Sequence, residues 1–153
     1  MPKLDLATVP ERTGSSYPDP FKHANGDKIR RQLGLAGGLT QFGVNLSTLP
    51  PGTQSALRHW HEQEDEFVYV VSGQATLIDN DGEHPMGPGD AACFPAGDPN
   101  GHHIVNRSDT DVVILEIGTR AQTETGHYPD DDLAARKTAD GYLFTHKDGT
   151  PYG

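Results

Sequence analysis

From Leu39 onward apolar and polar positions alternate. Phe42, Val44 and Leu46 interleave with Gln41, Gly43 and Asn45, the spacing of a strand with one buried face. Pro50-Pro51-Gly52 ends that run, and further strand-like runs follow at residues 54–61, 67–71, 74–79, 91–95, 102–106 and 112–118. Turn material separates them, including Ser72-Gly73, Asn80-Asp81-Gly82 and Gly87-Pro88-Gly89. Many short strands at regular intervals predict an all-β sandwich or barrel. Residues 1–38 show neither period; broken by Pro10, Gly14, Pro18, Pro20 and Gly26, they read as an extended arm. Within that arm residues 28–34 can make one helical turn, which Gly34, Gly37 and Gly38 then stop. Past Thr119, two short runs flank Asp140-Gly141, a hairpin signal that adds an edge hairpin. With 153 residues and no internal repeat, the expectation is one domain: an arm over 1–38, a barrel over 39–118 and a packed extension over 119–153.

Composition supports this class. Only 33% of residues are hydrophobic, while 18 Gly and 12 Pro supply turns in excess of what long helices tolerate. A net charge of −10 leaves no broad basic face, which excludes nucleic acid and anionic membrane as expected partners. Cys93 is the single cysteine, so no internal disulfide can form. The first residues carry no apolar stretch of signal-peptide type and no run approaches a membrane span, so a soluble cytoplasmic protein is expected.

The chemistry concentrates between Gly52 and Asn106. On a strand, His59 and His61 project from one face and Trp60 from the other. Glu62 to Asp65 read as a solvated turn, after which Glu66 opens the next strand and faces back across the ladder, with Val68 and Val70 on the same inward face. Two imidazoles and a carboxylate suit Zn, Fe, Mn, Ni or Co, and a cation offsets the cost of burying the carboxylate. Further on, His102 and His103 are adjacent, so only one of them faces inward.

These residues resemble the two motifs of the cupin superfamily. His59, His61, Glu66 and Gly73 fall at the spacing of the first motif, with Gly52 one residue further from His59 than is usual. Gly89, Pro95, Gly97, His102 and Asn106 follow the second, with two extra residues between Gly97 and His102. The resemblance implies a double-stranded β-helix, or jelly-roll barrel, and one divalent metal ion (Zn, Fe, Mn or Ni) held by His59, His61, Glu66 and His102. Because the widened loop Asp98-Pro99-Asn100-Gly101 can shift the register by one, His103 remains the alternative fourth ligand. The whole chain is similar to small bacterial single-domain cupins, some described as sugar-phosphate isomerases, and the resemblance implies a homodimer.

The remaining residues read more plainly. Trp60 is packing, Cys93 a small buried hydrophobe, Glu64 and Asp65 turn residues, and Asp130-Asp131-Asp132 a solvated loop. No other cofactor is expected. The resulting expectation is a metal-dependent enzyme of isomerase or lyase type acting on a small polar metabolite. The alternatives are a non-catalytic small-molecule binder and an Fe- or Mn-dependent dioxygenase. No general base is identifiable: Tyr69 would point outward, and Arg30, Arg31 and Arg58 can meet an anion only if the arm folds over the barrel mouth.

Overall fold

The computed structural model describes residues 2–153. Thirteen strands run along the chain: β1 (Glu11–Arg12), β2 (Ile29–Gln32), β3 (Phe42–Leu49), β4 (Trp60–His61), β5 (Glu66–Ser72), β6 (Ala75–Asp79), β7 (Gly82–Met86), β8 (Ala91–Phe94), β9 (His103–Val105), β10 (Val112–Thr119), β11 (Thr125–His127), β12 (Ala134–Thr138) and β13 (Gly141–Thr145). They form a six-stranded sheet in the order β1-β2-β3-β10-β5-β8, a four-stranded sheet β13-β12-β11-β4 and a three-stranded sheet β7-β6-β9. Every pairing is antiparallel. Among the described residues no helix is long and apolar enough to cross a membrane.

The fold is the expected all-β jelly roll. Its main core is the cluster in which Leu49, Val68, Val70, Val112 and Ile114 of the large sheet meet Ala75 of β6, Met86 of β7 and Ile104 of β9, and a smaller cluster gathers around Tyr128, Leu133 and Ala135. Apolar burial across the two sheets holds them face to face.

Register across the large sheet explains why chemistry sits at one end. Arg30, Ser47, Ile114 and Val70 lie in one inward-facing row; Gln32, Asn45, Glu116, Val68 and Ala92 lie in the next. A third row holds Gly43, Gly118, Glu66 and Phe94. The inner face thus passes from apolar to polar within a few residues. Gly43 and Gly118 carry no side chain opposite Glu66, which leaves open volume in front of the carboxylate.

Several local expectations change. Residues 28–34 are not a helical turn: Ile29–Gln32 pairs along β3, and only Leu33–Ala36 is helical before Gly37 and Gly38. Pairing with a long neighbouring strand outweighs local helix preference. The run at 54–61 makes isolated bridges at Gln54 and His59 and the two-residue β4, with bends between them. Pro85 sits on β7, an edge strand, where a missing N–H costs no ladder bond. Cys93 is exposed rather than buried, because β8 turns Ala92 and Phe94 inward.

Two segments close over one side of the barrel. Tyr17 and Phe21 pack edge-on against Tyr128, Phe144 and Tyr152, with ring centroids 5.9 Å apart in each pair. Gln54 Nε2 donates to the Ala24 carbonyl at 3.0 Å, and the Leu57 N–H donates to the Tyr17 hydroxyl at 3.2 Å.

The β5–β6 turn depends on Gly73. Its φ is +85°, and a Cβ there would lie 2.4 Å from the Asp111 carbonyl oxygen and 2.9 Å from Val112 Cα. Gly73→Ala is therefore expected to lower the unfolding free energy by about 2 kcal/mol or more in urea titrations. Gly82→Ala, at φ +120° with open space around it, is expected to cost less, about 1 kcal/mol.

Candidate metal centre

An exchange of backbone hydrogen bonds sets the site. His59 N–H donates to His102 O at 3.1 Å and His102 N–H donates to His59 O at 2.9 Å. Residues paired in this way project to the same face, and His61, two residues on, follows His59. Three imidazoles thereby share one space with Glu66, which faces them from β5.

His59 Nε2 lies 3.1 Å from Glu66 Oε1, His102 Nε2 lies 3.0 Å from Glu66 Oε2, and His61 Nε2 contacts Oε1. His59, His61 and Glu66 offer ligand atoms all within 4.8 Å of one another; His102 meets the second carboxylate oxygen. All four expected residues are thus brought together. His103 is not among them: its Nδ1 lies 2.8 Å from the Ala56 carbonyl. The widened loop leaves the His59–His102 register intact because its extra residues are tied sideways. Asn100 Oδ1 accepts from Asn80 N–H at 2.8 Å and Asn100 Nδ2 donates to Asp79 Oδ2 at 3.1 Å.

The donor set fits a cation. His59 Nδ1–H donates to the Leu57 carbonyl at 2.7 Å, which leaves the Nε2 lone pair of the neutral ring aimed at a carboxylate oxygen. Lone pair against lone pair is repulsive, and a divalent ion placed among them converts the repulsion into coordination. Where the rings are instead protonated at Nε2, the carboxyl of Glu66 is held well below the usual carboxylate range against its burial, by the charge of His59 and by hydrogen bonds from His102, His59 and His61, so in either protonation state a cationic partner keeps Glu66 ionised. For His61, burial works against the charged form, but contact with Glu66 and the charges of Glu124 and Glu64 raise its pKa. Phe94 stacks on His102 with ring centroids 3.5 Å apart at 4°, which fixes that ring, and Trp60 stacks on His127 away from the site.

Behind His61 lie two buried carboxylates, of which Glu64 was expected in a solvated turn and Glu124 carried no sequence signal. Glu64 is 7% exposed rather than part of a solvated turn, and Glu124 is 2% exposed. Glu64 Oε2 accepts from Lys137 Nζ and from Ala121 N–H, each at 2.9 Å. Glu124 Oε1 accepts from Glu62 N–H at 2.8 Å and lies 3.8 Å from His61 Nδ1, a buried atom with no hydrogen-bond partner. These carboxylates clamp the β4–β5 loop so that His61 and Glu66 meet. Asp65, by contrast, is exposed.

The site opens into a cavity of about 420 Å³ whose wall includes His59, His61, Glu66, His102, Glu116 and Lys28. A contiguous space of about 290 Å³ shares His59, His61, Glu116 and Lys28 and continues beneath the arm to Ser15, Ser16 and Arg30. The arm does fold over the mouth, but Arg31 pairs with Glu11 at 2.9 Å and Arg58 with Asp130 at 2.8 Å, so neither is free for an anion. Asp130 is accordingly a partner in the fold and not only a solvated loop residue.

Residues 45–118 match the family model described as a cupin domain. A solved structure from Silicibacter pomeroyi, described as a sugar phosphate isomerase from a cupin superfamily, is 52% identical; the match covers 99% of this chain and 97% of that one, with a TM-score of 0.96. A second, from Acidithiobacillus ferrooxidans and provisionally described as a sugar phosphate isomerase, is 30% identical over 81% of this chain and 79% of its own, with a TM-score of 0.76. An oxalate-binding protein from Thermotoga maritima is 35% identical over 69 residues, 45% of this chain, and the match spans only about half (54%) of that relative's length.

Lys137→Met strands Glu64 as a buried charge and is expected to lower stability by about 3 kcal/mol in urea unfolding. Adding Glu64→Gln to Lys137→Met is expected to recover part of that loss, which a double-mutant cycle measures.

Proposed function

The chain belongs to the cupin superfamily, and from that membership we propose that it is a metal-dependent isomerase of a small phosphorylated sugar. The observation that carries the reading is the convergence of three imidazole nitrogens and the Glu66 carboxylate on one wall of an open cavity. His59, His61, His102 and Glu66 would hold the ion, and the donor set suits Zn, Fe, Mn or Ni. Bound there, a divalent ion supplies Lewis acidity toward a substrate carbonyl.

The chain's own residues supply the proton chemistry. Glu116 lines the cavity, as Glu64 does, and lies one row from Glu66 across β10. Its Oε1 accepts from Ser47 Oγ at 2.5 Å and lies 3.2 Å from Lys28 Nζ, so two partners fix its direction. We assign it the role of general base: Oε2, with Lys28 Nζ 3.5 Å away, takes the proton from the hydroxyl-bearing carbon beside the substrate carbonyl and returns it to the carbonyl carbon, while the hydroxyl proton passes to the former carbonyl oxygen, which moves the carbonyl by one carbon with no net change in atoms. Lys28 Nζ also donates to the Ser55 carbonyl at 2.8 Å and is thereby held at the cavity wall. The similarity to an oxalate-binding protein supports a second reading, a barrel that holds a small acid without turnover.

Protein purified without chelator or histidine tag is expected to contain close to one divalent ion per chain. Glu66→Gln and His59→Ala are expected to lose most of it, and His103→Ala to keep it, by elemental analysis. A wild type without metal, or a Glu66→Gln variant with full metal content, would contradict the metal assignment. The reaction is tested by incubating the loaded protein with a panel of phosphorylated aldoses and ketoses in D₂O and following deuterium incorporation beside the carbonyl by NMR. Glu116→Gln is expected to retain metal and to lose about 100-fold or more of the exchange rate. Binding without exchange by the wild type across the panel would favour the second reading.

A further inference from the structure

The arm places two arginines side by side without an acid between them. Arg12 on β1 is directly opposite Arg30 on β2, so their side chains leave the same face of the sheet, and like charges in that position repel. On the other face the neighbouring pair is Glu11 opposite Arg31, joined by an ion pair at 2.9 Å. Among the described residues Lys28, Arg31, Arg58, Arg107 and Lys137 each meet a carboxylate; Arg12 and Arg30, like Lys3, Lys22, Arg120, Arg136 and Lys147, meet none, and of these seven they are the two set opposite each other on neighbouring strands. Arg30 makes one long contact, from Nη1 to the Gly14 carbonyl at 3.4 Å. Two uncompensated guanidiniums held together in a chain of charge −10 point to an anion that joins them.

The face they occupy leads to the metal centre. Arg30 pairs with Ser47 on β3, in an inward-facing row, and lines the space that His59 and His61 also line. Ser15 and Ser16 lie on the same wall, as does Asn25, whose side-chain oxygen is buried without a hydrogen-bond partner. We propose that Arg30 and the Ser16 hydroxyl, with the exposed Arg12 at the outer rim, form the subsite for the phosphoryl group of the substrate, and that Asn25 accepts a hydroxyl of its sugar. This rests on the reading of the cavity as a sugar-phosphate site and specifies how a substrate lies in it, with its phosphoryl group under the arm and its carbonyl end toward Glu66. Arginine supplies a planar fork that matches phosphoryl oxygens, which a lone lysine does not.

The test is calorimetric titration of the full chain with inorganic phosphate, and separately with malonate as a carboxylate of similar size. Wild type is expected to bind phosphate more tightly than malonate. Arg30→Gln is expected to weaken phosphate at least about tenfold and Arg12→Gln severalfold, whereas Arg31→Gln, on the other face, leaves it unchanged. Should Arg30→Gln fold poorly, Arg30→Lys keeps the charge and loses the fork, and is expected to weaken phosphate by less. Glu66→Gln is expected to bind phosphate as wild type does even without metal, which separates this subsite from the metal reading. Metal missing from the wild type, with phosphate binding still dependent on Arg30, would sink the metal assignment and leave the subsite standing. Absence of phosphate binding by the wild type, wild-type affinity in both Arg30 variants, or tighter binding of malonate would overturn the subsite.

Discussion

Two backbone hydrogen bonds between His59 and His102 determine what every ring nitrogen in the cavity can reach. Once those residues are paired, their imidazoles share a face, His61 joins them by the two-residue repeat of an extended chain, and His103 must point elsewhere. The opposite wall is set just as rigidly. Glu66 lies across from Gly118 on β10 and Phe94 on β8, so the carboxylate has open volume on one side and the ring that supports His102 on the other.

Charge inside this protein is handled by local neutralisation. Glu64 meets Lys137, Glu116 meets Lys28, and Glu124 accepts backbone N–H groups from the β4–β5 loop. Each arrangement offsets the cost of taking a carboxylate out of water, and each ties together elements far apart in sequence. Two sets of groups on the cavity side differ from that pattern: the imidazoles gathered around Glu66, whose donor set suits a cation, and the neighbouring arginines of the arm, whose planar forks suit an anion. They have opposite sign and open on the same space, as a bound molecule with a polarised carbonyl at one end and a negative group at the other requires.

Much of this was legible in the sequence, for physical reasons that can be named. Alternation located the strands of the barrel because each has one buried face, and the spacing of His59, His61 and Glu66 placed their side chains on one wall because strand geometry is nearly invariant, whereas the choice of His102 over His103 came from the family resemblance. What escaped reading depended on partners distant along the chain. Glu64 looks solvated until Lys137, 73 residues away, is brought beside it. Cys93 looks buried in its apolar run until the pairing of β8 with β5 fixes which side faces in. Residues 54–61 show strand composition but find an adjoining ladder only at two bridges and β4. The short β2 was missed because its pattern is polar on the cavity side, where Lys28, Arg30 and Gln32 follow one another.

The packing of Tyr17 and Phe21 on Phe144 and Tyr152 makes one cooperative unit out of segments more than a hundred residues apart. Neither has enough apolar surface to stay ordered by itself, so the two order and fray together. Hydrogen exchange in residues 17–24 and 142–152 is thus expected to be coupled, and a proteolytic nick in either to loosen both. A molecule seated beneath them would slow that fraying, so occupancy of the cavity would register as protection at the surface, far from the atoms that react.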